Sequence, residues 1–208
     1  MNDAEAYDYY SHIRHWYNKL WLSEELSYNC GPAGIAPKKS GWYVVRPIMN
    51  LSGMGVGAKK IWIEAGDYTK VNPGYFWCEW FEGRQYSVTY EWEGFWKPVS
   101  SWEGIKDTNN LSKFEKWIKS DYYPELGYFF EELGDSLTCI NIEFIEDKAI
   151  EVHLRKSPDP EYNELIPVWI GEEEMVDKYI KMGYNYIIDF DDADGFLDKP
   201  RVGFLVKN

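Results

Sequence analysis

The stretch Ser52-Gly53-Met54-Gly55-Val56-Gly57 constrains this chain more than any other. Glycines this dense let backbone amides approach an anion without obstruction from Cβ. The flanking segments narrow the choice of fold. Residues 41–48 (GWYVVRPI) have the pattern of a strand, and residues 60–64 (KIWIE) that of another. A dinucleotide-binding loop would open a helix. A P-loop would carry GxxxxGK followed by Ser or Thr, and the chain has no such run. The pattern predicts a glycine flap between antiparallel strands, able to fold over phosphates; a bulged hairpin turn is the plain alternative. Protein kinases use such a flap, but neither HRD nor DFG occurs here.

Around the flap, helical and strand patterns alternate without repeat. Residues 5–28 have near-helical spacing at Tyr9, Ile13, Trp16, Tyr17, Leu20 and Leu22. Residues 74–92 are aromatic and β-branched, with Glu82-Gly83-Arg84 as a turn between two strands. Residues 110–133 predict two helical pieces, the first with Leu111, Phe114, Trp117 and Ile118 on one face. The second carries Leu126, Phe129, Phe130 and Leu133 beyond Pro124. Cys139 to Ile145 and Ala149 to Leu154 predict two strands joined by Glu146-Asp147-Lys148. A strand (166–170), a helix (172–182) and strands near 186–190 and 202–206 complete the chain. Hairpins mixed with helices predict an α+β protein rather than a doubly wound sheet. Two lobes are expected: residues 1–77 with the glycine loop, and residues 78–208.

Composition removes several function classes. With 22 Lys and Arg against 35 Asp and Glu the formal charge is −13. Non-specific nucleic-acid binding needs clustered positive charge, so neither nucleic acid nor an anionic membrane is an expected partner. Aromatic residues make up 18%, far more buriable surface than a disordered chain carries. No apolar run approaches the ~20 residues of a membrane span. Met1 to Tyr10 is acidic and aromatic, unlike a signal peptide. Three distant cysteines, with no CxxC, suit free thiols in a reducing, cytoplasmic setting.

A few residues carry candidate chemistry. Arg46 sits on the strand before the loop, pointing opposite to Val45 and Pro47, where a cation could hold a phosphate oxygen. Glu143 and Glu151 should lie across a hairpin from each other. Two carboxylates that close repel unless a proton or cation sits between them, and Mg²⁺ shared with nucleotide phosphates is one solution. Alternation puts His153 and Arg155 on the face of Glu151. The acidic run Asp189 to Gly195 breaks the EF-hand pattern, because Phe190 takes its first position. Glu172-Glu173-Glu174 suits a helix N-terminus, and His12 and His15 are ordinary helix residues.

The order of these parts resembles the ATP-grasp superfamily. Asn18-Lys19-Leu20, then Gly34-Ile35-Ala36-Pro37, is similar to the family's lysine segment and its G-x-P lead into the first strand. Tyr43 to Pro47 resembles the strand whose basic residue touches the α- and β-phosphates, and Ser52 to Gly57 the glycine loop above them. Cys78-Glu79-Trp80-Phe81-Glu82-Gly83-Arg84-Gln85 resembles the hinge segment, with Glu79, Trp80 and Phe81 at the adenine and Gln85 at the ribose. Asn141-Ile142-Glu143-Phe144 and Ile150 to Arg155 resemble the paired metal strands. The match covers about residues 18 to 156. It departs from the family at Gln85, usually Glu, and at His153, usually Asn; imidazole favours softer metals than Mg²⁺. The domain that usually precedes the family's core has no counterpart, as expected of a compact viral or phage version.

The resemblance implies an ATP-dependent ligase that activates a carboxylate as an acylphosphate for attack by an amine or thiol. ATP and Mg²⁺ are the implied cofactors, and a small-molecule or peptide carboxylate is the implied substrate. Lys19, Arg46, Ser52, Gly53, Met54, Gly55, Gly57, Glu79, Trp80, Phe81 and Gln85 would bind nucleotide. Glu143, Glu151 and His153 would bind metal. Arg46 and Arg155 would be catalytic, with Ser157 and Asp159 bordering the acceptor. A protein partner supplying the substrate domain is also implied. The alternatives are a degenerate fold acting as a nucleotide-binding or interaction module, and an acidic viral antagonist.

Overall fold

A computed structural model describes residues 1–51, 55–106, 111, 113–191 and 200–208. The chain is α+β, with two antiparallel sheets and short helices. Strands β1 (Cys30–Pro32), β2 (Gly41–Pro47), β3 (Lys59–Ile63) and β4 (Tyr75–Glu79) form a four-stranded sheet in the order β1-β4-β2-β3. The larger sheet contains β5 (Gln85–Trp92), β6 (Trp96–Lys106), β7 (Phe114–Lys119), β8 (Cys139–Ile145), β9 (Lys148–His153), β10 (Glu164–Trp169), β11 (Asn185–Asp191) and β12 (Arg201–Lys207). Its order is β11-β12-β10-β7-β6-β5-β8-β9. The boundary at residues 77/78 falls inside β4. No helix among the described residues is long and apolar enough to cross a membrane.

Period-two alternation divides the large sheet into an apolar and a polar face. Tyr86, Val88 and Tyr90 of β5 and Ile140, Ile142 and Phe144 of β8 point one way and are buried. Ala6, Trp16, Tyr17, Leu22, Phe130 and Leu133 cover that face. The N-terminal helices thus complete the large sheet's core, although the small sheet follows them in sequence. Gln85, Ser87, Thr89, Asn141 and Glu143 alternate with the core positions.

Between β4 and β5 the chain crosses from one sheet to the other over residues 80–84. Gly83 has φ 135°, and a Cβ there would lie 2.4 Å from Glu146 Cγ. Glu146 Oε1 accepts from the Arg84 backbone N–H (2.8 Å) and from Arg84 Nε (3.3 Å). The crossover is therefore pinned to the β8–β9 turn.

Two expected helices are revised. The helix over residues 5–28 is three short pieces: α1 (Asp3–Tyr9), a 3-10 turn (Arg14–Tyr17) and α2 (Lys19–Glu25). Side-chain caps set where its two α-helical pieces start. Asn2 and Glu5 form a capping box at α1, and Asn18 Oδ1 accepts from the Trp21 N–H at the start of α2 (3.0 Å). The helix over residues 110–133 is strand β7 followed by a 3-10 segment, Tyr128–Asp135. In β7, Ile105 faces Lys116 and Lys106 faces Phe114, so Glu115 is an extra residue in the ladder. This bulge brings Phe114 and Trp117, three apart, to one cavity wall, with rings 4.2 Å apart. A bulged strand thus imitates helical spacing, and pairing with β6 and β10 overrides it. Strand β6 lies outside the elements expected from the sequence pattern.

Replacing Phe144 with alanine in the core of β8 (2% exposed) should remove about 3–5 kcal/mol of stability, read as a lower urea midpoint.

Candidate active site

The register of β5, β8 and β9 builds the site in two rungs. Ser87 faces Glu143, which faces Glu151; Thr89 faces Asn141, which faces His153. Directly opposed residues share a face, so the expected juxtaposition of Glu143 and Glu151 is present. A bulge sets it: Phe144 pairs with Ala149, so a regular ladder would oppose Glu143 to Ile150, and leaving Ile150 extra brings Glu151 opposite Glu143. Ile150, Glu143, Glu151 and His153 line a cavity of about 630 Å³ between the two sheets.

Each charged group in the rungs has a defined partner. Lys19, at the start of α2, places Nζ 2.6 Å from Glu151 Oε2, with both side chains under 10% exposed. Gln85 Nε2 donates to Glu143 Oε2 at 2.8 Å. His153 Nδ1 lies 3.0 Å from Asp3 Oδ2, and Arg155 Nη2 donates to the same oxygen at 2.6 Å. The Tyr17 hydroxyl donates to Asp3 Oδ1 at 3.2 Å. Burial alone would disfavour charge on these groups, and partners reverse the balance. Burial works against the Asp3 anion, but His153 and Arg155 hold its carboxyl well below the usual range. Burial likewise opposes the His153 cation, yet Asp3, Glu143 and Glu151 push it up to about 10. For Glu143, burial is outweighed by His153, Lys19 and Lys106, and its carboxyl is lowered.

The small sheet supplies the opposite wall. Val44, Arg46 and Pro47 of β2 line the cavity, as do Gly55, Val56 and Ala58 of the glycine loop. Arg46 is 8% exposed, its Nε has no hydrogen-bond partner, and its guanidinium lies over the Phe76 ring at 5.2 Å. Lys106, at the end of β6, faces the same space from the large sheet. Burial pulls its ammonium below the usual lysine value, partly offset by Glu143. Neither Arg46 nor Lys106 forms an ion pair with a described residue.

The sequence candidates divide accordingly. Lys19, Arg46, Gly55, Trp80, Gln85, Glu143, Glu151, His153, Arg155, Ser157 and Asp159 all line the cavity. Gly57, Glu79 and Phe81 do not. Gly57 has φ 78° and packs under Pro47 and Tyr75. Glu79 Oε1 accepts from the Asn29 N–H (2.9 Å), and the Glu79 and Trp80 N–H groups donate to Asn29 and Trp42 carbonyls. Phe81 packs on Tyr28. Ser52, Gly53 and Met54 lie outside the described residues, as do Asp192 to Gly195 of the acidic run; Asp189 accepts from Arg201 at 3.0 Å. Asp3 and Lys106 went unrecognised in the sequence. A capping-box pattern at Asn2 to Glu5 was the signal near Asp3; Lys106 ends an 11-residue strand whose proline and exposed polar positions hide its pattern.

Replacing Lys19 with methionine leaves Glu151 buried without its counter-charge. The expected loss is about 3–5 kcal/mol, read by chemical denaturation, and the double variant Lys19→Met/Glu151→Leu should recover most of it.

No protein-family profile matches the chain, and no curated protein sequence matches it significantly. Solved structures do match. Carboxyaminoimidazole ribonucleotide synthase from Aspergillus clavatus, complexed with ATP, aligns at TM-score 0.59 and 9% identity, over 94% of this chain and 69% of its own. N5-carboxyaminoimidazole synthetase from Staphylococcus aureus aligns at TM-score 0.53 and 8% identity, over 93% and 67%. L-amino acid ligase from Bacillus licheniformis aligns at TM-score 0.46 and 14% identity; the chain spans only 41% of its length. The two structures that align over more than nine-tenths of this chain are similar to it in fold: the chain has an ATP-grasp-like α+β fold with two antiparallel sheets.

Proposed function

We propose that the chain is an ATP-dependent ligase that activates a carboxylate as an acylphosphate for attack by an amine or thiol. One observation supports this most. Two cations from opposite sheets, Arg46 and Lys106, face one cavity without an ion-pair partner among the described residues, beside two paired carboxylates. Unpaired cations held from water are costly, and a polyphosphate would satisfy both. The solved neighbour complexed with ATP fits the same reading.

In this reading Arg46 and Lys106 grip phosphate oxygens, and the glycine loop closes over them. The Trp80 ring, on the crossover, offers a flat surface to a base. Glu143, Glu151 and His153 suit a divalent cation, since one atom from each lies within 4.8 Å of the others; Mg²⁺ is the ion the resemblance implies. Such an ion would neutralise charge on the triphosphate during transfer. Arg155 would orient the acceptor carboxylate. No protein nucleophile is needed, because positioning and charge neutralisation do the work.

A non-hydrolysable ATP analogue with a divalent cation should raise the melting temperature. Arg46→Ala and Lys106→Ala should each weaken that binding by about 10- to 100-fold, one charged hydrogen bond. With ATP and candidate carboxylates, hydroxylamine should trap a hydroxamate. No melting shift at millimolar analogue would overturn the nucleotide reading.

A further inference from the structure

Glu143, Glu151 and His153 are each tied at one atom and turn another toward a common point. Glu143 Oε2 is held by Gln85 (2.8 Å), Glu151 Oε2 by Lys19 (2.6 Å) and His153 Nδ1 by Asp3 (3.0 Å). The remaining atoms converge. Glu143 Oε1 and Glu151 Oε1 lie 3.9 Å and 4.0 Å from His153 Nε2. Asp3, 4% exposed, is itself fixed by Tyr17 and Arg155. A carboxylate on the far nitrogen is what orients a metal-binding imidazole, by fixing its tautomer and ring plane.

We propose that these three atoms form a centre that prefers a first-row transition ion such as Mn²⁺ to Mg²⁺, the ion taking the place of the proton on His153 Nε2, which leaves to solvent, with Asp3 as the positioning residue for His153. The inference rests on the ligase reading only in assigning that ion to a nucleotide. Its chemical ground is the donor set. Mg²⁺ is a hard ion that keeps several waters and takes oxygen ligands. An imidazole nitrogen beside two carboxylates shifts preference toward transition ions. The amide usual at position 153 in the resembling family would supply oxygen; this chain supplies nitrogen and a buried carboxylate to aim it.

The test titrates Mn²⁺ and Mg²⁺ separately into the intact chain, with and without the non-hydrolysable ATP analogue. Bound Mn²⁺ is read by electron paramagnetic resonance and Mg²⁺ by competition. The parent should bind Mn²⁺ at least tenfold more tightly than Mg²⁺. His153→Asn should bring that ratio close to one while the circular dichroism spectrum stays unchanged. Asp3→Asn should weaken Mn²⁺ binding about 10- to 100-fold and leave Mg²⁺ within twofold; a merely structural role would weaken both ions equally and would overturn the assignment of Asp3. Should Asp3→Asn not fold, His153→Asn and His153→Gln decide the matter. Equal affinities in the parent, or a ratio unchanged in both His153 variants, would overturn the proposal. Mn²⁺ preference without any analogue binding would support the centre while overturning the ligase reading. Analogue binding without ion discrimination would do the reverse.

Discussion

Two carboxylates opposed across neighbouring antiparallel strands repel each other, and much of this molecule is organised around that repulsion. Glu143 and Glu151 are fixed in place by a ladder that cannot slip without turning the whole core face outward. The conflict is resolved by importing partners from elsewhere. Lys19 comes from α2, Gln85 from the edge of the crossover, and His153 from the next rung. His153 needs its own counter-charge and finds it in Asp3, some 150 positions away in sequence. The N-terminal helices therefore contribute both apolar cover for the large sheet and the charges that make its polar face tolerable.

Two irregularities in the ladders give the site its shape. At Ile150 an extra residue brings Glu151 and His153 onto the cavity face while Ala149 and Val152 stay in the core. At Glu115 another brings Phe114 and Trp117 together on the cavity wall. A regular strand would have put Glu151 and His153 on the core face with Ala149, and would have sent Phe114 and Trp117 to opposite faces. Bulges of this kind re-aim side chains near functional sites.

The same irregularities decide what the sequence could reveal. The β8–β9 hairpin was legible because Glu146-Asp147-Lys148 separates two runs of unmistakable alternation. That was enough to place Glu143 opposite Glu151. The glycine loop and Arg46 were legible because the strands around them are short and rich in aromatic and β-branched residues. Strand β7 was not, because its bulge reproduces the three-residue spacing of a helix. The partition of residues 5–28 into caps and short turns was hidden by apolar spacing that ignores Asn2 and Asn18. Asp3 and Lys106 stayed out of reach for a different reason: long-range pairing alone gives them their place, and local pattern carries no trace of it.

The pinned crossover has a mechanical consequence. Residues 80–84 link the two sheets, and Glu146 grips them from the hairpin that holds the carboxylates. A swing of the small sheet would have its fulcrum there. Along β2, Trp42 lies beside that fulcrum, since its carbonyl accepts from Trp80. Arg46 lies four residues further, about 13 Å at ~3.3 Å per residue, with the glycine loop beyond it. That far end is anchored too: the Ile48 carbonyl accepts from the Lys19 N–H at 2.9 Å, which ties β2 to the helix whose ammonium holds Glu151. The small sheet is thus held at both ends of β2, so its distance from the carboxylates is set by two anchors rather than one.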